Sequence, residues 1–304
     1  MSSRLGVEIA GLQLANPTML ASGILGLSAP MLKRIVEAGA GAVVTKSVGL
    51  KPRKGYPNPT VVQVNCGLLN AMGLPNPGIH RFVDEIKELS EVGVPIIVSV
   101  YGFSPQEFAD VADLAVEAGA DAVELNVSCP HVEKTGSEIG QVPELVKKTV
   151  KNVKAKVNTP VFVKLTPNVT DVTELAKAAA EAGADAVTAI NTVKAMAINV
   201  ETARPVLANK IGGLSGCAIK PIALRCVYEI YEAVSIPIIG CGGITSWRDA
   251  VEFMLAGASA VQIGTSLASE EVDVFKLVTR GIEAYLETKK IGSVKKIVGK
   301  AHVR

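Results

Sequence analysis

Cys129 lies in the pentapeptide NVSCP, residues 126–130, directly after the apolar segment AVEL. A thiol near the end of a buried strand can act as a base or a nucleophile when nearby cations stabilise its thiolate. The ten residues that follow, HVEKTGSEIG, carry glycine and charge and predict a mobile loop that covers the thiol. The competing interpretation is a cysteine that only packs, because free cysteine is among the most buried residue types.

Two lysines, Lys46 and Lys164, also end apolar segments, in TKS and FVKL. A buried ammonium group without a partner is costly, and lysine is rarely buried unless it is paired. We therefore expect both lysines to meet an anionic ligand. A thiol with cations close by is a better candidate for chemistry than a thiol among apolar side chains.

An internal repeat indicates the elements that must position these side chains. The phrase AGA-x-AV occurs four times, beginning at Ala38, Ala118, Ala182 and Ala256. Each copy ends an alanine-rich helical pattern and leads into β-branched residues, which predicts a helix end, a tight turn and a strand. Three further apolar segments, VPIIVSV, TPVFVKL and IPIIGCG, lack polar alternation, as expected of parallel strands that are covered on both faces.

Together with a segment that begins at Pro17, the repeat predicts eight strands: PTMLASG, AVVTKS, PIIVSV, AVELNVS, PVFVKL, AVTAINT, PIIGCGG and AVQIGT. Helical patterns separate nearly all of them. One begins at Ser104, with Pro105 at the first helical position and Glu107 completing a capping box, and another begins at Asp171. Eight βα units predict an α/β fold of the (β/α)8 TIM barrel type. A doubly wound open sheet gives the same alternation and is the second candidate.

Three pieces lie outside the repeat. Residues 4–16 predict an N-terminal β-hairpin that turns at Ala10-Gly11 and covers the barrel floor. Residues 48–80 and 193–220 form long insertions after the second and sixth strands, and loops this long inside a compact domain are usually functional. We expect residues 1–304 to form a single barrel domain with its active site at the carboxyl ends of the strands.

Polar, small or cationic residues end these apolar strands: Ser22, Lys46, Ser47, Asn126, Cys129, Lys164, Asn191, Thr192, Gly242, Gly243, Gly264 and Thr265. The glycines follow the seventh and eighth strands, which is the usual phosphate site of such barrels. Glycine lets backbone N–H groups approach phosphate oxygens closely. The sequence therefore predicts a bound phosphate, belonging to either a substrate or a cofactor.

Composition excludes several classes of protein. The net charge is +2 and no basic block occurs, so nucleic acid is not an expected partner. No signal peptide and no run of 18 apolar residues is present, so we expect a cytoplasmic protein without a membrane span. The cysteines and histidines are scattered and form no C-x-x-C pair, which argues against a disulfide framework, a metal site or an iron–sulfur cluster on this chain. Any redox chemistry would need an organic cofactor.

The chain resembles class 1 dihydroorotate dehydrogenases through an ordered series of motifs: TKS at 45–47, NAMGLPNPG at 70–78, NVSCP at 126–130, VKLTPN at 163–168, INT at 190–192, GGLSG at 212–216, PIIGCGGI at 237–244 and QIGT at 262–265. The resemblance runs from about residue 4 to about residue 300. It implies an FMN-dependent barrel that oxidises dihydroorotate to orotate in pyrimidine (UMP) biosynthesis. Cysteine instead of serine in NVSCP, and no N-terminal helical extension, favour the soluble class over the membrane-associated one.

The resemblance also implies residue roles. Cys129 is the base that takes a proton from the substrate, while Lys164 lies beside the pyrimidine edge of the flavin and stabilises its reduced form. The other implied cofactor contacts are Ser22, Lys46, Ser47, Asn126, Ile190, Gly216, Gly242, Gly243, Gly264 and Thr265. The implied substrate pocket consists of Lys46, Asn70, Ala71, Met72, Gly73, Leu74, Asn126, Asn191 and Thr192, whose amides suit the donor–acceptor edge of a pyrimidine. No metal is implied.

Two positions depart from the family pattern. Ser99 stands where relatives often have Asn, so no flavin contact is assigned to it, and His131 stands where many have Asn in the loop after the base. The other cysteines match no motif and are expected only to pack: Cys66, Cys217, Cys226 and Cys241.

The stretch from residue 190 to residue 225 resembles the NAD-linked type 1B more than the fumarate-using type 1A. Type 1B implies a partner subunit that carries FAD and an iron–sulfur cluster, in a heterotetramer with two copies of each chain. Three alternatives stay open: a type 1A enzyme, a dihydropyrimidine dehydrogenase-like barrel acting on uracil or thymine, and a non-redox phosphate-binding barrel in which Cys129 only packs.

Overall fold

The computed structural model describes residues 4–127, 139–268 and 271–302. Its strands are β1 (Val7–Ile9), β2 (Leu12–Leu14), β3 (Thr18–Leu20), β4 (Ala42–Val44), β5 (Val61–Val64), β6 (Gly67–Asn70), β7 (Ile96–Val100), β8 (Ala122–Asn126), β9 (Val161–Leu165), β10 (Ala186–Ala189), β11 (Val193–Met196), β12 (Ile198–Asn199), β13 (Arg204–Pro205), β14 (Ile211–Ser215), β15 (Ile238–Cys241) and β16 (Ala260–Ile263). The α-helices of the described residues are α1 (Ala29–Glu37), α2 (Ile79–Glu88), α3 (Pro105–Glu117), α4 (Pro143–Lys154), α5 (Val172–Glu181), α6 (Lys220–Ala233), α7 (Trp247–Leu255) and α8 (Val274–Thr288).

Eight parallel strands close into a barrel in the order β10-β15-β16-β3-β4-β7-β8-β9. These are the eight strands that the apolar segments predict, so the TIM barrel is confirmed and the open sheet is excluded. Nearly every residue in them is buried, because side chains fill the interior and helices cover the outside. Asn126 and Cys241, the last residues of β8 and β15, are half-buried, because they reach the open end of the barrel.

Local signals explain where the helices begin. Ser104 caps α3 by accepting a hydrogen bond from the Glu107 N–H at 3.2 Å, and Pro105 occupies the first turn. The Glu107 carboxylate reaches back to the Phe103 N–H at 2.8 Å. Asp171 caps α5 by accepting from the Thr173 N–H at 2.8 Å. Among the described residues, no helix is long and apolar enough to cross a membrane.

The predicted N-terminal hairpin is present. β1 and β2 pair antiparallel, with Val7 opposite Leu14, and the turn places Ala10 at φ 50° and Gly11 at φ 87°. Both turn residues have positive φ angles, as a two-residue hairpin turn of type I′ requires. Val7, Ile9 and Leu14 are buried in the same hydrophobic core as the barrel, and the chain then enters β3.

The two long insertions are not simple loops, and this corrects the sequence interpretation. β5 and β6 from the first pair with β11 and β14 from the second in a four-stranded antiparallel sheet, ordered β11-β14-β6-β5. Asn70 stands opposite Gly213 across the insertions. Glycines permit this close approach: a Cβ atom on Gly67 would strike the Ser215 carbonyl oxygen, and one on Gly212 would strike the Asn70 carbonyl oxygen.

Candidate active site

A cavity of about 370 Å3 opens at the carboxyl ends of the barrel strands, with the four-stranded sheet as one wall. Small-molecule sites commonly occupy about 300 to 1,000 Å3. The structure brings most of the predicted site residues together here: Ser22, Lys46, Ser47, Asn70, Met72, Gly73, Leu74, Asn126, Lys164, Ile190, Asn191, Thr192, Gly216, Gly242, Gly243, Gly264 and Thr265.

One predicted residue is placed differently. Ala71 does not line the cavity; it is buried behind the wall with Leu69 and Leu207, because the side-chain alternation of β6 continues one residue past Asn70. Cys129 lies outside the described residues, so its role stays a prediction. Asn126, three residues before it, ends β8 on the cavity wall.

A chain of hydroxyl and amide groups crosses the cavity floor. Ser47 Oγ lies 2.9 Å from Ser99 Oγ, and Ser22 Oγ lies 3.2 Å from each of them. The Asn126 amide donates to Ser47 Oγ at 3.0 Å, and the Asn191 amide donates to Asn126 Oδ1 at 3.2 Å. Each group is held by its neighbours, so their orientations are set before a ligand enters.

Sequence analysis assigned no contact to Ser99, yet this side chain joins the hydroxyl groups of Ser22 and Ser47. It is fully buried at the fourth position of β7. The available signal was a single hydroxyl inside the otherwise apolar segment PIIVSV. A buried hydroxyl needs a hydrogen-bond partner, and the ends of β3 and β4 supply two.

Lys164 occupies the centre of a buried polar network. Its Nζ donates to Gln262 Oε1 at 2.9 Å and lies 3.7 Å from Glu124 Oε1. The Gln262 amide donates to Glu124 Oε2 at 2.6 Å, and Thr188 Oγ1 donates to the same oxygen at 2.9 Å. The strand-end pattern did not predict Glu124, Thr188 and Gln262, although each is a polar residue inside an otherwise apolar strand.

The charges of this network shift two pKa values. Burial lowers the pKa of Lys164, but negative charge on Cys241 and Glu124 outweighs burial, so the pKa lies above its usual value. Burial raises the pKa of the Cys241 thiol, and the ammonium of Lys164 offsets only part of that rise. Near neutral pH the network therefore contains a charged lysine and a neutral thiol.

The cysteines outside the motifs differ in environment. Cys226 is buried in the barrel core, as expected, and burial raises its pKa to about 11. The expectation of packing is wrong for Cys66 and Cys217, which are exposed. The Cys217 thiol donates to the Cys66 carbonyl oxygen at 3.0 Å. Cys241 lines the cavity next to Lys164.

Three glycines that line the cavity form a cradle. Gly216, Gly242 and Gly243 have φ angles of 99°, 133° and 77°, where side chains are strained. A Cβ on Gly243 would lie 2.8 Å from the Gly216 carbonyl oxygen and 2.9 Å from the Lys220 nitrogen, at the start of α6. Backbone N–H groups at a helix N-terminus bind anions, and phosphates above all.

The Asp249 carboxylate connects the two chain segments that flank this cradle. It accepts hydrogen bonds from the backbone N–H groups of Thr245 and Ser246 at 3.0 and 2.8 Å, just after Gly243. Lys220 Nζ donates to its other oxygen at 2.7 Å. One carboxylate therefore connects the start of α6 with the start of α7.

The segment from Asn70 to Leu74 is held from both ends. The Asn70 amide donates to the Gly213 carbonyl oxygen at 3.2 Å. The buried Asn76 amide donates to the Leu74 carbonyl oxygen and to Tyr101 Oη, both at 2.8 Å. These bonds fix the segment that brings Asn70, Met72, Gly73 and Leu74 to the cavity.

Comparison with known proteins agrees with this geometry. The family model described as dihydroorotate dehydrogenase matches residues 4–286. The chain belongs to the dihydroorotate dehydrogenase family. It is 54% identical over 295 residues to a Pyrococcus furiosus protein, covering 97% of this chain and 98% of the relative. It is 52% identical over 297 residues to a Methanosarcina acetivorans protein, covering 97% of this chain and 95% of the relative.

Both relatives are named dihydroorotate dehydrogenase B (NAD(+)), catalytic subunit. The fold is also similar to that of the Eimeria tenella dihydroorotate dehydrogenase in complex with ferulenol, with a TM-score of 0.88 and 22% identity. That match covers 99% of this chain and 89% of the Eimeria chain. The dihydroorotate dehydrogenase family is flavin-dependent in general.

Proposed function

We propose that this chain is the catalytic subunit of an NAD-linked dihydroorotate dehydrogenase, oxidising dihydroorotate to orotate for pyrimidine biosynthesis with FMN as its bound cofactor. The observation that carries the proposal is that one cavity brings together a glycine cradle and a buried lysine with convergent amides. The identity of 52 to 54% to relatives named as catalytic subunits supports the same assignment.

The cavity residues fit FMN. Gly216, Gly242 and Gly243 leave space that any side chain would fill, beside the N-terminus of α6, so they suit the phosphate. Lys164, whose residue is 5% exposed, presents its ammonium from the cavity floor and suits the electron-rich pyrimidine edge of the flavin ring. Bound there, FMN would supply the acceptor for one hydride, that is, for both electrons of the oxidation together with one proton.

The substrate pocket is formed by amides and one cation. Asn70, Asn126, Asn191 and Thr192 line the cavity and offer both donors and acceptors to a pyrimidine ring. Lys46 lines the same cavity and is 9% exposed. Its ammonium suits the carboxylate of dihydroorotate, a group that uracil and thymine lack. The pocket should therefore bind dihydroorotate and orotate, which carry this carboxylate, in preference to uracil and thymine.

Cys129 is the proposed proton acceptor. Its thiolate would take the proton from one carbon of the substrate ring while the neighbouring carbon loses a hydride. Lys46 and Lys164 line the cavity and would stabilise that thiolate by their positive charge. The hydroxyl and amide groups on the floor, which are already hydrogen-bonded, hold the ring in position during the transfer.

Anaerobic reduction of the bound flavin by dihydroorotate tests the reaction. The wild-type protein should purify yellow and lose its flavin absorbance when dihydroorotate is added. Cys129→Ala should bind FMN and bleach at least about 100-fold more slowly, because general base catalysis contributes about 10²- to 10⁴-fold. Cys66→Ala, which removes an exposed thiol, is the matched control and should bleach at the wild-type rate.

The outcomes separate the alternatives. A protein that neither carries nor takes up FMN would exclude every flavin assignment and favour the non-redox barrel. Bleaching of Cys129→Ala at the wild-type rate would refute the base. Reaction with dihydropyrimidines lacking the carboxylate, in preference to dihydroorotate, would favour the dihydropyrimidine dehydrogenase-like alternative.

The proposal also includes the electron acceptor that reoxidises the flavin. We assign NAD, reached through a partner subunit with FAD and an iron–sulfur cluster, in a heterotetramer with two copies of each chain. The motivating features are the sequence from residue 190 to residue 225 and the names of the relatives. The reduced chain should reoxidise with NAD only when the partner is co-expressed. Efficient reoxidation of the isolated chain by fumarate would indicate type 1A instead.

A further inference from the structure

We propose that Glu124 is a positioning residue, whose carboxylate orients the Lys164 side chain and balances its charge beneath the candidate flavin site. The inference rests on the proposed function, because it concerns how the chain acts on a bound flavin. Glu124 itself does not line the cavity and is fully buried. Its effect on the cofactor must therefore pass through Lys164.

The position of Glu124 follows from the barrel. It precedes Asn126 by two residues on β8, so both side chains lie on the same face of the strand, with Glu124 one layer deeper. Gln262 projects from β16, which is four strands away in the eight-stranded ring and therefore on the opposite side. The hydrogen bond between Gln262 and Glu124 consequently crosses the barrel interior.

The two oxygens of Glu124 have different roles. Oε2 accepts two hydrogen bonds, from the Gln262 amide at 2.6 Å and from Thr188 at 2.9 Å. Oε1 is buried and accepts no hydrogen bond in the described residues; it faces Lys164 Nζ at 3.7 Å. Thr188 and Gln262 thus hold the carboxylate by one oxygen and leave the other directed at the ammonium.

Glu124 also determines how Gln262 meets the lysine. Because the Gln262 amide nitrogen donates to Glu124, the amide oxygen is left to accept from Lys164 Nζ, which it does at 2.9 Å. The Lys164 ammonium can only donate, so it requires the amide oxygen, and the contact with Glu124 reinforces that orientation. Glu124 therefore acts on Lys164 twice, directly by charge and indirectly through the amide.

The charge balance depends on Glu124 near neutral pH. In the described residues, the titratable groups that influence Lys164 are Cys241 on β15 and Glu124 on β8. Burial raises the pKa of the Cys241 thiol, and the carboxylate of Glu124 lies 3.7 Å from Lys164 Nζ. Without the charge of Glu124, Lys164 loses one of the two groups that raise its pKa, so its pKa should fall from the wild-type value.

A titration of the apoprotein tests this first consequence without any cofactor. Lysine labelled with 13C at Cε would be followed by NMR, with the Lys164 resonance assigned by its loss in Lys164→Met. The pKa of Lys164 should lie above its usual value in wild type and should be lower in Glu124→Gln than in wild type. Glu181→Gln, which neutralises an exposed carboxylate paired with Lys147, is the matched control and should leave Lys164 unchanged.

Two outcomes of this titration oppose the proposal. An unchanged Lys164 titration in Glu124→Gln would overturn it. Glu124→Asp keeps the charge and withdraws the carboxylate oxygens by one methylene. If the Lys164 pKa fell as far in Glu124→Asp as in Glu124→Gln, the effect would be due to packing instead of charge. If Glu124→Gln does not fold, Glu124→Asp gives the deciding comparison, since a shortened carboxylate should lower the Lys164 pKa only part of the way.

The midpoint potential of bound FMN, measured against pH, tests the second consequence. At about pH 6 the unbalanced ammonium of Glu124→Gln should favour the anionic reduced flavin by tenfold or more, which is about 30 mV for a two-electron couple. The difference from wild type should shrink as the pH rises and Lys164 loses its proton. A difference that is absent or independent of pH would overturn the proposal.

Failure of the proposed function has a different signature. Wild-type protein that takes up no FMN would refute the flavin assignment, whereas the lysine titration would still decide whether Glu124 positions Lys164. Wild-type protein that binds FMN, combined with pH-independent potentials in Glu124→Gln, would refute only the role of Glu124. Glu181→Gln should follow the wild-type potential at every pH.

Discussion

A buried ammonium and a buried carboxylate stabilise a fold only as a pair. The side chains of Lys164 and Glu124 are 6% and 0% exposed, so each has lost most of its hydration. Their attraction at 3.7 Å offsets part of that cost, and the hydrogen bonds of Gln262 and Thr188 offset more. Apolar side chains in the same place would often make the fold equally stable or more stable. The position of the network under the cavity therefore supports a functional role for it.

Lys164→Met should destabilise the apoprotein by about 3 to 5 kcal/mol, because it leaves the Glu124 carboxylate buried without its partner. The double variant Lys164→Met with Glu124→Gln should recover part of this loss. Urea unfolding of the apoproteins measures both. Lys147→Met, which breaks the exposed pair with Glu181, is the control and should change stability little. Equal effects of the two lysine substitutions would contradict the buried-pair interpretation.

At the scale of elements, the N-termini of α6 and α7 share one carboxylate. Ser246 and Asp249 form a capping box at the start of α7, and Lys220 of α6 donates to the same side chain. Burial would raise the pKa of Asp249, but the hydrogen bonds from Lys220, Thr245 and Ser246 lower it to about 2. The arrangement fixes the turn that contains Gly242 and Gly243.

Asp249→Asn should therefore lower the free energy of unfolding in a pH-dependent way. The folded-state pKa of about 2 lies below the usual value of 3.8, so the carboxylate contributes about 2 kcal/mol above pH 4. This contribution is lost as the pH falls from about 4 to about 2, where the carboxylate becomes protonated in the folded state too. Urea unfolding at a series of pH values measures the difference between wild type and variant.

A matched control separates this ion pair from general acid effects. Asp84→Asn removes an exposed carboxylate on α2 and should not reproduce the pH-dependent difference. If wild type and Asp249→Asn differed by a constant amount down to about pH 2, the assigned pKa of Asp249 would be wrong.

At the scale of the whole molecule, the site is assembled from residues between Ser22 and Thr265. Nearly every barrel strand contributes a residue, and the four-stranded sheet adds a wall. A ligand that binds here contacts parts of the chain that separate on unfolding. Its binding free energy is therefore added to the stability of the entire barrel.

FMN should raise the unfolding temperature of the apoprotein more than riboflavin does, because riboflavin lacks the phosphate that suits the glycine cradle. At 100 times its dissociation constant, FMN should add about 2.7 kcal/mol. Thermal unfolding with each flavin at equal concentration measures the difference. Gly243→Ala, whose Cβ would lie 2.8 Å from the Gly216 carbonyl oxygen, should remove most of the advantage of FMN.

Gly292→Ala is the control for this substitution, since the nearest atom to its Cβ would be the end of the flexible Lys296 side chain at 3.9 Å. In Gly292→Ala, FMN should raise the unfolding temperature above that with riboflavin by as much as it does in wild type. If FMN and riboflavin stabilised the wild-type protein equally, the glycine cradle would not be the site that binds the FMN phosphate.

The barrel and most of the cavity wall were predictable because their signals are local. A continuous apolar segment after AGA predicts a buried strand without reference to any other part of the chain. The Ala10-Gly11 hairpin turn is equally local. Once eight such strands are counted, the carboxyl ends of all of them must meet, so the residues that end the strands could be named as site candidates.

Pairing between distant segments was not predictable in this way. β6 and β14 are short, contain glycine, and become strands because Asn70 meets Gly213 across the two insertions. Ser99 and Glu124 were visible in the sequence as lone polar residues in apolar strands, but their partners come from other strands of the barrel.

The sequence by itself determined the eight strands and which side chains end them, since both depend on local composition and turn chemistry. Only the tertiary structure decided which buried polar groups meet. The sequence predicts an anionic ligand for Lys164, and the closed barrel also places the Glu124 carboxylate 3.7 Å from its ammonium. The reason is physical: a buried charge must be compensated, but any strand around a closed barrel can supply the compensating group.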